Sequence, residues 1–461
     1  MYVSIDLLPT FLGLGLLLWA TSSVGAGSST KKFVIGSQQP APFKAPSPNA
    51  VSPNVLTLTR KTGSLSAAYL AAIRKNNQVN GVYGFTPLAS VAQGQVFLAG
   101  IEFGSESFQA VIDTGSSDTW LAETGFRCFD VATGAPEPES YCAFGPTYNI
   151  SSTFNQIPNE NFNISYADGE VLTGIIGIER VKLAGITVKN QQVAVVDHAA
   201  WFGDGVSSGL VGLSFPILTS AYRGTDPTLD SKATQAVYNP IFTNIYSEGN
   251  VAPLFSLAID RGTSGGVMAI GGLPPVLFSS SFASAPFQLL TMTRFGTTSP
   301  IDGIPQYQFY TITVDGFNYE GSEKTVWTHG TWPNPLAKPS DPSKVQLIVD
   351  SGTTLIYLPT GIANAINALF VPPAVYDPNQ GVYAVACSAK APEFGVTIGK
   401  QTFYINGLDM ILSSGNGTCL SGVNDAGTGG LSILGDVFLK NVLAVFDVGA
   451  SEMRFAAREL Y

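Results

Sequence analysis

Two short segments of this chain repeat one another. Residues 111–117 read Val-Ile-Asp-Thr-Gly-Ser-Ser, and residues 348–354 read Ile-Val-Asp-Ser-Gly-Thr-Thr. Each delivers one aspartate, Asp113 or Asp350, from an apolar run into a glycine-containing turn with hydroxyl side chains on both sides. One Asp-Thr-Gly segment predicts only a tight turn, because Asp and Gly favour turns for local steric and hydrogen-bonding reasons. Two such segments with matching flanks predict a chain built from two related halves.

A second repeat supports this duplication. Residues 209–213 read Gly-Leu-Val-Gly-Leu downstream of the first aspartate, and residues 431–435 read Leu-Ser-Ile-Leu-Gly downstream of the second. Two apolar residues and a glycine are weak signals in isolation. Their recurrence beyond each aspartate motif indicates an internal repeat of domain size.

The paired aspartates also predict a chemistry. Two carboxyl groups that meet about a pseudo-twofold axis cannot both ionise, so they share a proton. The ionised carboxylate can then act as a general base on a water molecule, and the protonated carboxyl as a general acid.

Composition favours an all-β chain. The sequence has 49 Gly, 29 Pro and only 12% charged residues, which is typical of a globule rich in strands and turns. Short alternating patterns predict strands at residues 95–101, 108–113, 171–177, 192–197, 255–259, 266–271 and 310–314. Apolar spacing predicts helices at 240–247, with Asn239 as its cap and Pro240 in its first turn, at 361–370 and at 436–442.

The first residues resemble a signal peptide. An apolar run at 11–20 is followed by small residues up to Ala26, which predicts a signal peptide over residues 1–26 and a secreted, extracellular protein. Asp6 stands where such peptides carry a basic residue, and a membrane anchor is the alternative. The run is shorter than the roughly 20 residues that span a bilayer, and no apolar tail follows Phe455, so we expect no stable membrane anchor.

Cysteines and sequons fit an exported protein. Four cysteines allow three pairings, of which Cys128 with Cys142 and Cys387 with Cys419 close the shortest loops; four buried thiols are the alternative. Asn-x-Ser/Thr acceptors for glycosylation occur at Asn149, Asn163 and Asn416.

A basic leader precedes an acidic body. Residues 27–82 hold seven Lys or Arg and no Asp or Glu, whereas the chain beyond them has a net charge of −16. We expect a propeptide over residues 27–88 that inhibits the body electrostatically, with a short helix at 65–74 delivering Arg74 and Lys75 to the paired carboxylates. Ion-paired carboxylates have depressed pKa values, so this attraction is present at higher pH and weakens as the pH falls. A disordered, solvated tail is the alternative.

From about residue 93 to 456 the chain resembles the pepsin family of secreted aspartic endopeptidases. The first aspartate block, a Tyr-containing hairpin at 164–170, the second aspartate block and both glycine loops occur in that family's order. The resemblance implies an all-β, bilobal fold with two pseudo-twofold-related lobes and a central cleft. The N-terminal lobe would comprise residues 89–290, with Asp113 and the flap, and the C-terminal lobe residues 291–461, with Asp350.

The resemblance also assigns roles around the aspartates. Asp113 and Asp350 would be the catalytic pair. Ser116 and Thr353, each three residues further on, would hydrogen-bond the outer carboxylate oxygens. Gly115 and Gly352 would let the backbone approach the carboxylates closely.

A second set of roles concerns the flap. Tyr166 would close over the substrate, with Asp168 offering a hydrogen bond near the tip and Trp120 supporting the tyrosine. Ala167 stands where many relatives have Gly, and Phe309 stands in a second-lobe strand, 306–315, where Tyr is frequent.

The expected activity is hydrolysis of internal peptide bonds at acidic pH, with a preference for hydrophobic residues around the scissile bond. We expect protein or peptide substrates and a monomeric enzyme. We also expect no metal or cofactor, because the two histidines, His198 and His329, are too few for most zinc sites. The acidic body would repel nucleic acid.

Two other classes of function compete with this interpretation. A carboxylate pair can hydrolyse glycosidic bonds, but at a separation of about 5 to 9 Å. An inactive relative that only binds would have lost an Asp or a Gly from one motif, whereas both motifs are complete here.

Overall fold

A computed structural model describes residues 51–62, 85–86, 95–249, 251–261, 265–290, 306–320, 340–341, 344–378, 380–413, 419–427 and 429–458. Several predicted features lie outside these described residues: the signal peptide at 1–26, the leader helix at 65–74 with Arg74 and Lys75, Asn416 and His329. Among the described residues, no helix has the length and apolar character needed to cross a membrane.

Strands dominate the described chain, so the all-β prediction is confirmed. In the first part of the chain the strands are β1 (Asn54–Thr62), β2 (Phe85–Thr86), β3 (Gln95–Phe103), β4 (Glu106–Asp113), β5 (Thr119–Phe129), β6 (Pro136–Glu137), β7 (Asn155–Tyr166), β8 (Val171–Leu183), β9 (Ile186–Ala200), β10 (Gly209–Gly212), β11 (Ala221–Arg223), β12 (Leu254–Ile259), β13 (Gly266–Ile270) and β14 (Phe278–Pro286).

The second part of the chain has shorter strands. They are β15 (Thr311–Thr313), β16 (Gly316–Glu320), β17 (Ser340–Asp341), β18 (Gln346–Val349), β19 (Ile356–Leu358), β20 (Val375–Asp377), β21 (Val382–Val385), β22 (Glu393–Ile398), β23 (Gln401–Ile405), β24 (Ile411–Ser413), β25 (Cys419–Ser421), β26 (Val423–Asp425), β27 (Ile433–Leu434), β28 (Val442–Asp447) and β29 (Glu452–Arg458). Each strand expected from the sequence has a counterpart here.

Helices are few and short among the described residues. The α-helices are α1 (Glu139–Cys142), α2 (Ile241–Ser247), α3 (Thr360–Asn367) and α4 (Asp436–Leu439), and two 3₁₀ turns cover Pro216–Leu218 and Pro227–Leu229.

One large sheet connects the two parts of the chain. Its strands run in the order β11-β7-β8-β9-β5-β10-β4-β3-β1-β13-β12-β28-β29-β14. The last two strands of the chain, β28 and β29, therefore lie beside strands from its first half. All six residues of β28 are buried, as expected for a strand covered on both faces.

Three smaller sheets complete the second half. They have the strand orders β15-β18-β27-β19-β26, β17-β16-β22-β23 and β20-β21-β25-β24. Within the large sheet, Phe255 of β12 stacks on Phe446 of β28 at 4.5 Å between ring centroids, and Tyr310, which precedes β15 of a smaller sheet, meets Phe446 edge-on at 4.8 Å. The hydrophobic core is consequently continuous across both halves.

The predicted duplication is visible in strand pairing. In the first half, β4 pairs in parallel with β10, which pairs antiparallel with β5. In the second half, β18 pairs in parallel with β27, which pairs antiparallel with β19. The glycine loops at 209–213 and 431–435 thus lie beside the strands that carry Asp113 and Asp350. The same local topology surrounds each aspartate.

Three helix boundaries differ from the sequence prediction. Pro240, not Asn239, is the N-cap of α2, and Asn239 Nδ2 donates to Asn244 Oδ1 at 3.2 Å. Helix α3 ends at Asn367, ahead of Pro372 and Pro373, which cannot donate backbone hydrogen bonds. Helix α4 ends at Leu439, because Val442 already pairs with Ala457 in the sheet.

Each half of the chain contains one disulfide. Cys128 pairs with Cys142 and Cys387 with Cys419, at Cα–Cα distances of 5.9 and 5.1 Å. These are the two pairings that close the shortest loops, and the alternative of four buried thiols is wrong.

Part of the basic leader is an internal strand. Residues 54–58 of β1 pair with β13, and residues 59–62 pair with β3. Leu58 is 1% exposed in the main core, and the Ser52 hydroxyl donates to the Ile270 carbonyl at 2.5 Å. For these residues the alternative of a solvated tail is wrong.

This burial predicts a stability effect in the leader. Leu58→Ala should lower the free energy of unfolding of the full chain by about 2 to 4 kcal/mol, because it removes a buried side chain and leaves a cavity. Thr57→Ala, an exposed position on the same strand, should change it by less than about 0.5 kcal/mol. Denaturant unfolding of both variants measures the difference, and equal values would contradict a structural role for β1.

Candidate active site

Asp113 and Asp350 lie at the ends of their strands and face each other between the two halves. Both are fully buried. Their hydrogen bonds are equivalent: the Gly115 N–H donates to Asp113 Oδ1 at 2.7 Å, and the Gly352 N–H donates to Asp350 Oδ1 at 2.8 Å. The outer oxygens accept from hydroxyls, Asp113 Oδ2 from Ser116 and Asp350 Oδ2 from Thr353, the latter at 2.6 Å.

The two turns hold each other through the residues that follow the aspartates. The Thr114 hydroxyl donates to the Val349 carbonyl at 3.1 Å, and the Ser351 hydroxyl donates to the Ile112 carbonyl at 2.9 Å. Each hydroxyl also accepts the other residue's backbone N–H, at 2.9 and 3.2 Å. Our sequence analysis gave Thr114 and Ser351 no role. The signal that could have identified them is the hydroxyl residue between Asp and Gly in both repeats.

Gly115 permits the close approach of the two turns. A Cβ atom at this position would lie 2.7 Å from the carboxyl carbon and both carboxyl oxygens of Asp350. Such a distance is far below van der Waals contact. A side chain at residue 115 would therefore force the aspartates apart.

Burial and proximity keep a proton in this site. Burial first, and then the negative charge of Asp350, raise the pKa of Asp113 well above its usual range. Burial raises the pKa of Asp350 to about 6, against hydrogen bonds from Thr353 and Gly352 that favour its charged form. Because like charges this close cannot both form, the two carboxyl groups share one proton.

An aromatic group supports the hairpin between β7 and β8. The Trp120 indole N–H donates to the Tyr166 hydroxyl at 2.9 Å, and both side chains are fully buried. Trp201 packs edge-on against Trp120 and Tyr166, at centroid distances of 5.2 and 5.7 Å. The sequence analysis named Trp120 and Tyr166 but missed Trp201, which is remote from both motifs in the sequence.

The hairpin tip carries two buried acids. Asp168 Oδ1 accepts the Glu170 N–H at 3.2 Å, and Glu170 Oε1 accepts the Phe202 N–H at 2.7 Å. Burial raises the pKa of Asp168 to about 7; burial, followed by the charge of Asp168, raises the pKa of Glu170 well above its usual range. Glu170 is a further residue that the sequence analysis missed.

A piece of the leader lies along the same hairpin. Strand β2 pairs in parallel with β7, so that Phe85 is opposite Ser165 and Thr86 is opposite Tyr166. The backbone edge next to Tyr166 is thus occupied by the chain's own segment.

Phe309 and its neighbour Tyr310 have different surroundings. Phe309 is buried against Ile348 and Ile433, whereas the Tyr310 hydroxyl donates to the Leu213 carbonyl at 2.6 Å. Leu213 in turn donates its N–H to the Asp113 carbonyl at 2.8 Å. Tyr310 therefore connects the second half to the loop beside Asp113.

The two described sequons differ in their surroundings. Asn149 is exposed. The Asn163 amide donates to the Pro227 carbonyl and to Asp230 Oδ2, both at 3.0 Å.

Known proteins are similar to this chain over most of its length. A sequence profile of the eukaryotic aspartyl protease family matches residues 96–458. A probable aspartic-type endopeptidase of Aspergillus fumigatus is 42% identical over 438 residues, 92% of each protein. Rhizopuspepsin-3 of Rhizopus niveus is 26% identical, with 95% of each chain covered. The aspartic proteinase from Irpex lacteus, at 19% identity and a TM-score of 0.55 over 79% of this chain and 94% of that one, shares the fold. The chain therefore belongs to the eukaryotic aspartyl protease family and is a pepsin-like aspartic endopeptidase.

Proposed function

We propose that this aspartic endopeptidase cleaves internal peptide bonds at acidic pH with a water molecule activated between Asp113 and Asp350. The observation that carries the proposal is the equivalence of the two buried carboxyl groups. In each carboxyl group, Oδ1 accepts a backbone N–H and Oδ2 accepts a hydroxyl. These hydrogen bonds therefore do not make one aspartate the acid and the other the base.

In the proposed mechanism, the two carboxyl groups take opposite roles. The ionised carboxylate of the pair accepts a proton from the water, whose oxygen attacks the peptide carbonyl carbon, while the protonated carboxyl donates its proton to the carbonyl oxygen. The proton taken from the water is then passed to the leaving nitrogen as the C–N bond breaks. One hydroxyl of the tetrahedral intermediate returns a proton to the other carboxylate as the new carboxyl group forms, so the pair again holds one proton. Tyr166, held by Trp120, would cover the substrate, and Asp168 would donate or accept a hydrogen bond near the flap tip.

The pH dependence follows from the direction of the pKa shifts. A carboxyl whose pKa is raised in the folded protein contributes stability below its unfolded pKa of ~4, and that contribution is lost as pH rises through the folded value. The reaction needs one proton on the pair. Activity and the stability of the site should therefore both decline as the pH rises beyond the upper pKa of the pair.

We expect hydrophobic residues on both sides of the scissile bond. An apolar group of Phe309, Ile348 and Ile433, with Leu218, Leu290 and Tyr357 packed on it, adjoins the strand that ends at Asp350. Phe309, Ile348 and Ile433 are themselves buried, and the partly buried Leu218, Leu290 and Tyr357 have the surface that an apolar substrate side chain could contact.

Digestion of a denatured protein from acidic to neutral pH tests these proposals together. Asp113→Asn and Asp350→Asn should each lower the rate at least about 100-fold, because each removes a proton-transfer group. Asp197→Asn, at a carboxylate that contacts His198, should match the parent protein. Equal rates in Asp113→Asn and the parent, or cut sites dominated by charged residues, would contradict the proposed mechanism or the proposed preference respectively.

We further propose that the leader over residues 27–88 inhibits the enzyme until acid releases it. Two observations support this: β1 is built into the central sheet, and β2 occupies the backbone edge at Ser165 and Tyr166. The leader contains seven basic residues, whereas the chain beyond it has a net charge of −16. Ion pairs between them would weaken as the body's carboxylates protonate.

The purified full chain should therefore shorten after transfer to acid, and proteolytic activity should appear with the same time course. Asp113→Asn should remain intact under the same conditions. Gel electrophoresis and N-terminal sequencing report the cut. A full chain that neither shortens in acid nor is processed by a trace of mature enzyme would contradict acid activation.

We also propose that the protein is secreted as a monomer with a glycan on Asn149, which is exposed. Asn163 should be unoccupied, because both hydrogens of its amide already serve as donors. In a eukaryotic secretion host, Asn149→Gln should remove mass that a glycosidase also removes, and Asn163→Gln should not. A glycan found on Asn163 would contradict the assignment.

A further inference from the structure

The outward face of β7 carries two asparagines just before the flap. Phe162 and Ile164 point into the core and are fully buried, so the alternate residues, Asn161 and Asn163, lie on the opposite face. This alternation directs both amides towards the loop that follows β11. The sequence analysis singled out Asn163 only as a sequon.

Both amides donate hydrogen bonds to the carboxylate of Asp230. Asn161 Nδ2 donates to Asp230 Oδ1 at 3.1 Å, and Asn163 Nδ2 donates to Asp230 Oδ2 at 3.0 Å. Each amide has a second acceptor in the same loop, the Gly224 carbonyl at 3.2 Å for Asn161 and the Pro227 carbonyl at 3.0 Å for Asn163. A carboxylate suits this arrangement, since both of its oxygens accept and neither donates.

The larger apolar side chain of the 3₁₀ turn does not anchor this loop. Leu229 is 73% exposed, and Pro227 is only partly buried. The contacts of Asp230 with β7 therefore attach the turn to the sheet. Hydrogen bonds to a charged group are roughly twice as strong as those between neutral groups.

These contacts lie at the base of the flap, where the pairing between β7 and β11 ends. Strand β11 pairs with β7 from Glu160 to Phe162, and the Asn163 N–H donates to the Ser220 carbonyl at 3.1 Å. Beyond Asn163, β11 no longer pairs with β7, and the strand continues to Tyr166. The amide contacts thus lie where support from β11 ends and the flap begins.

We propose that Asp230 is a positioning residue: through Asn161 and Asn163 it fixes the base of the flap and so sets how Tyr166 is held over the Asp113–Asp350 pair. The proposal rests on the proposed proteolytic function for its kinetic consequence. Its structural consequence, restricted motion of the flap base, is independent of catalysis.

Hydrogen exchange of the full chain tests the structural part. Asp230→Asn keeps the size of the side chain but replaces one acceptor oxygen by a donor that faces an amide. Backbone exchange in residues 160–172 should become about tenfold faster, the factor that corresponds to losing one hydrogen bond to a charged group. Exchange in β3 and β4 should be unchanged.

A matched control is available in the same loop. Asp226 is exposed and accepts only from Thr228, at 3.0 Å from its N–H and 2.6 Å from its hydroxyl. Asp226→Asn makes the same charge change without a contact to β7 and should leave flap exchange as in the parent. Equal exchange in the two variants, or faster exchange confined to residues 224–232 in Asp230→Asn, would overturn the proposal.

A double variant tests the pairing itself. Asn163→Asp combined with Asp230→Asn reverses donor and acceptor, and it should recover part of the protection lost in Asp230→Asn. Exchange no slower than in the single variant would overturn a direct contact between the two residues.

Kinetics test the link to catalysis. After acid activation, Asp230→Asn should raise KM more than it lowers kcat, with an unchanged pH profile, because the carboxyl pair is intact. Loss of kcat with KM unaltered would overturn the positioning role. If the parent protein lacked proteolytic activity, the proposed function would fail, while the exchange experiment would still decide the role of Asp230.

Discussion

The reciprocal hydrogen bonds between Thr114 and Ser351 are the contact on which the active site depends. Each hydroxyl bonds the backbone of the opposite turn, so neither turn has its partners until the two halves of the chain have met. This contact brings Asp113 and Asp350 together at a buried site. The shared proton is then a consequence of geometry, since two buried carboxyl groups at this distance cannot both be charged.

The repeated motif was sufficient to predict the two halves and the paired aspartates, because these features are local to the motif, and the family resemblance implied that Ser116 and Thr353 bond the two carboxylates. Thr114 and Ser351 were within the same motif, but their partners lie across the molecule, and a sequence pattern does not show partners. Glu170 and Trp201 were missed for the same reason. Glu170 lies in the hairpin and accepts the Phe202 N–H, and Trp201 packs on Tyr166, so both contacts join segments that are far apart in the sequence.

The errors at helix ends have a different origin. Periodicity alone continued α4 to Val442, whereas the apolar run 442–447 is taken up by sheet pairing with β12 and β29. Tertiary hydrogen bonds thus overrode a local pattern. The leader is a comparable case: its composition permitted a solvated tail, but Leu58 and the alternation around it suit a buried strand.

Strand β1 also joins two parts of the large sheet. In the described chain, the strand order passes from β3 to β13 only through β1, whose first half bonds one strand and whose second half bonds the other. Without it, the sheet would divide into two blocks, one carrying Asp113 and the flap, the other formed by β12, β13, β14, β28 and β29. If the leader is released as proposed, the described part of the sheet would lose the strand that joins these two blocks, and the hydrophobic core would remain as their connection.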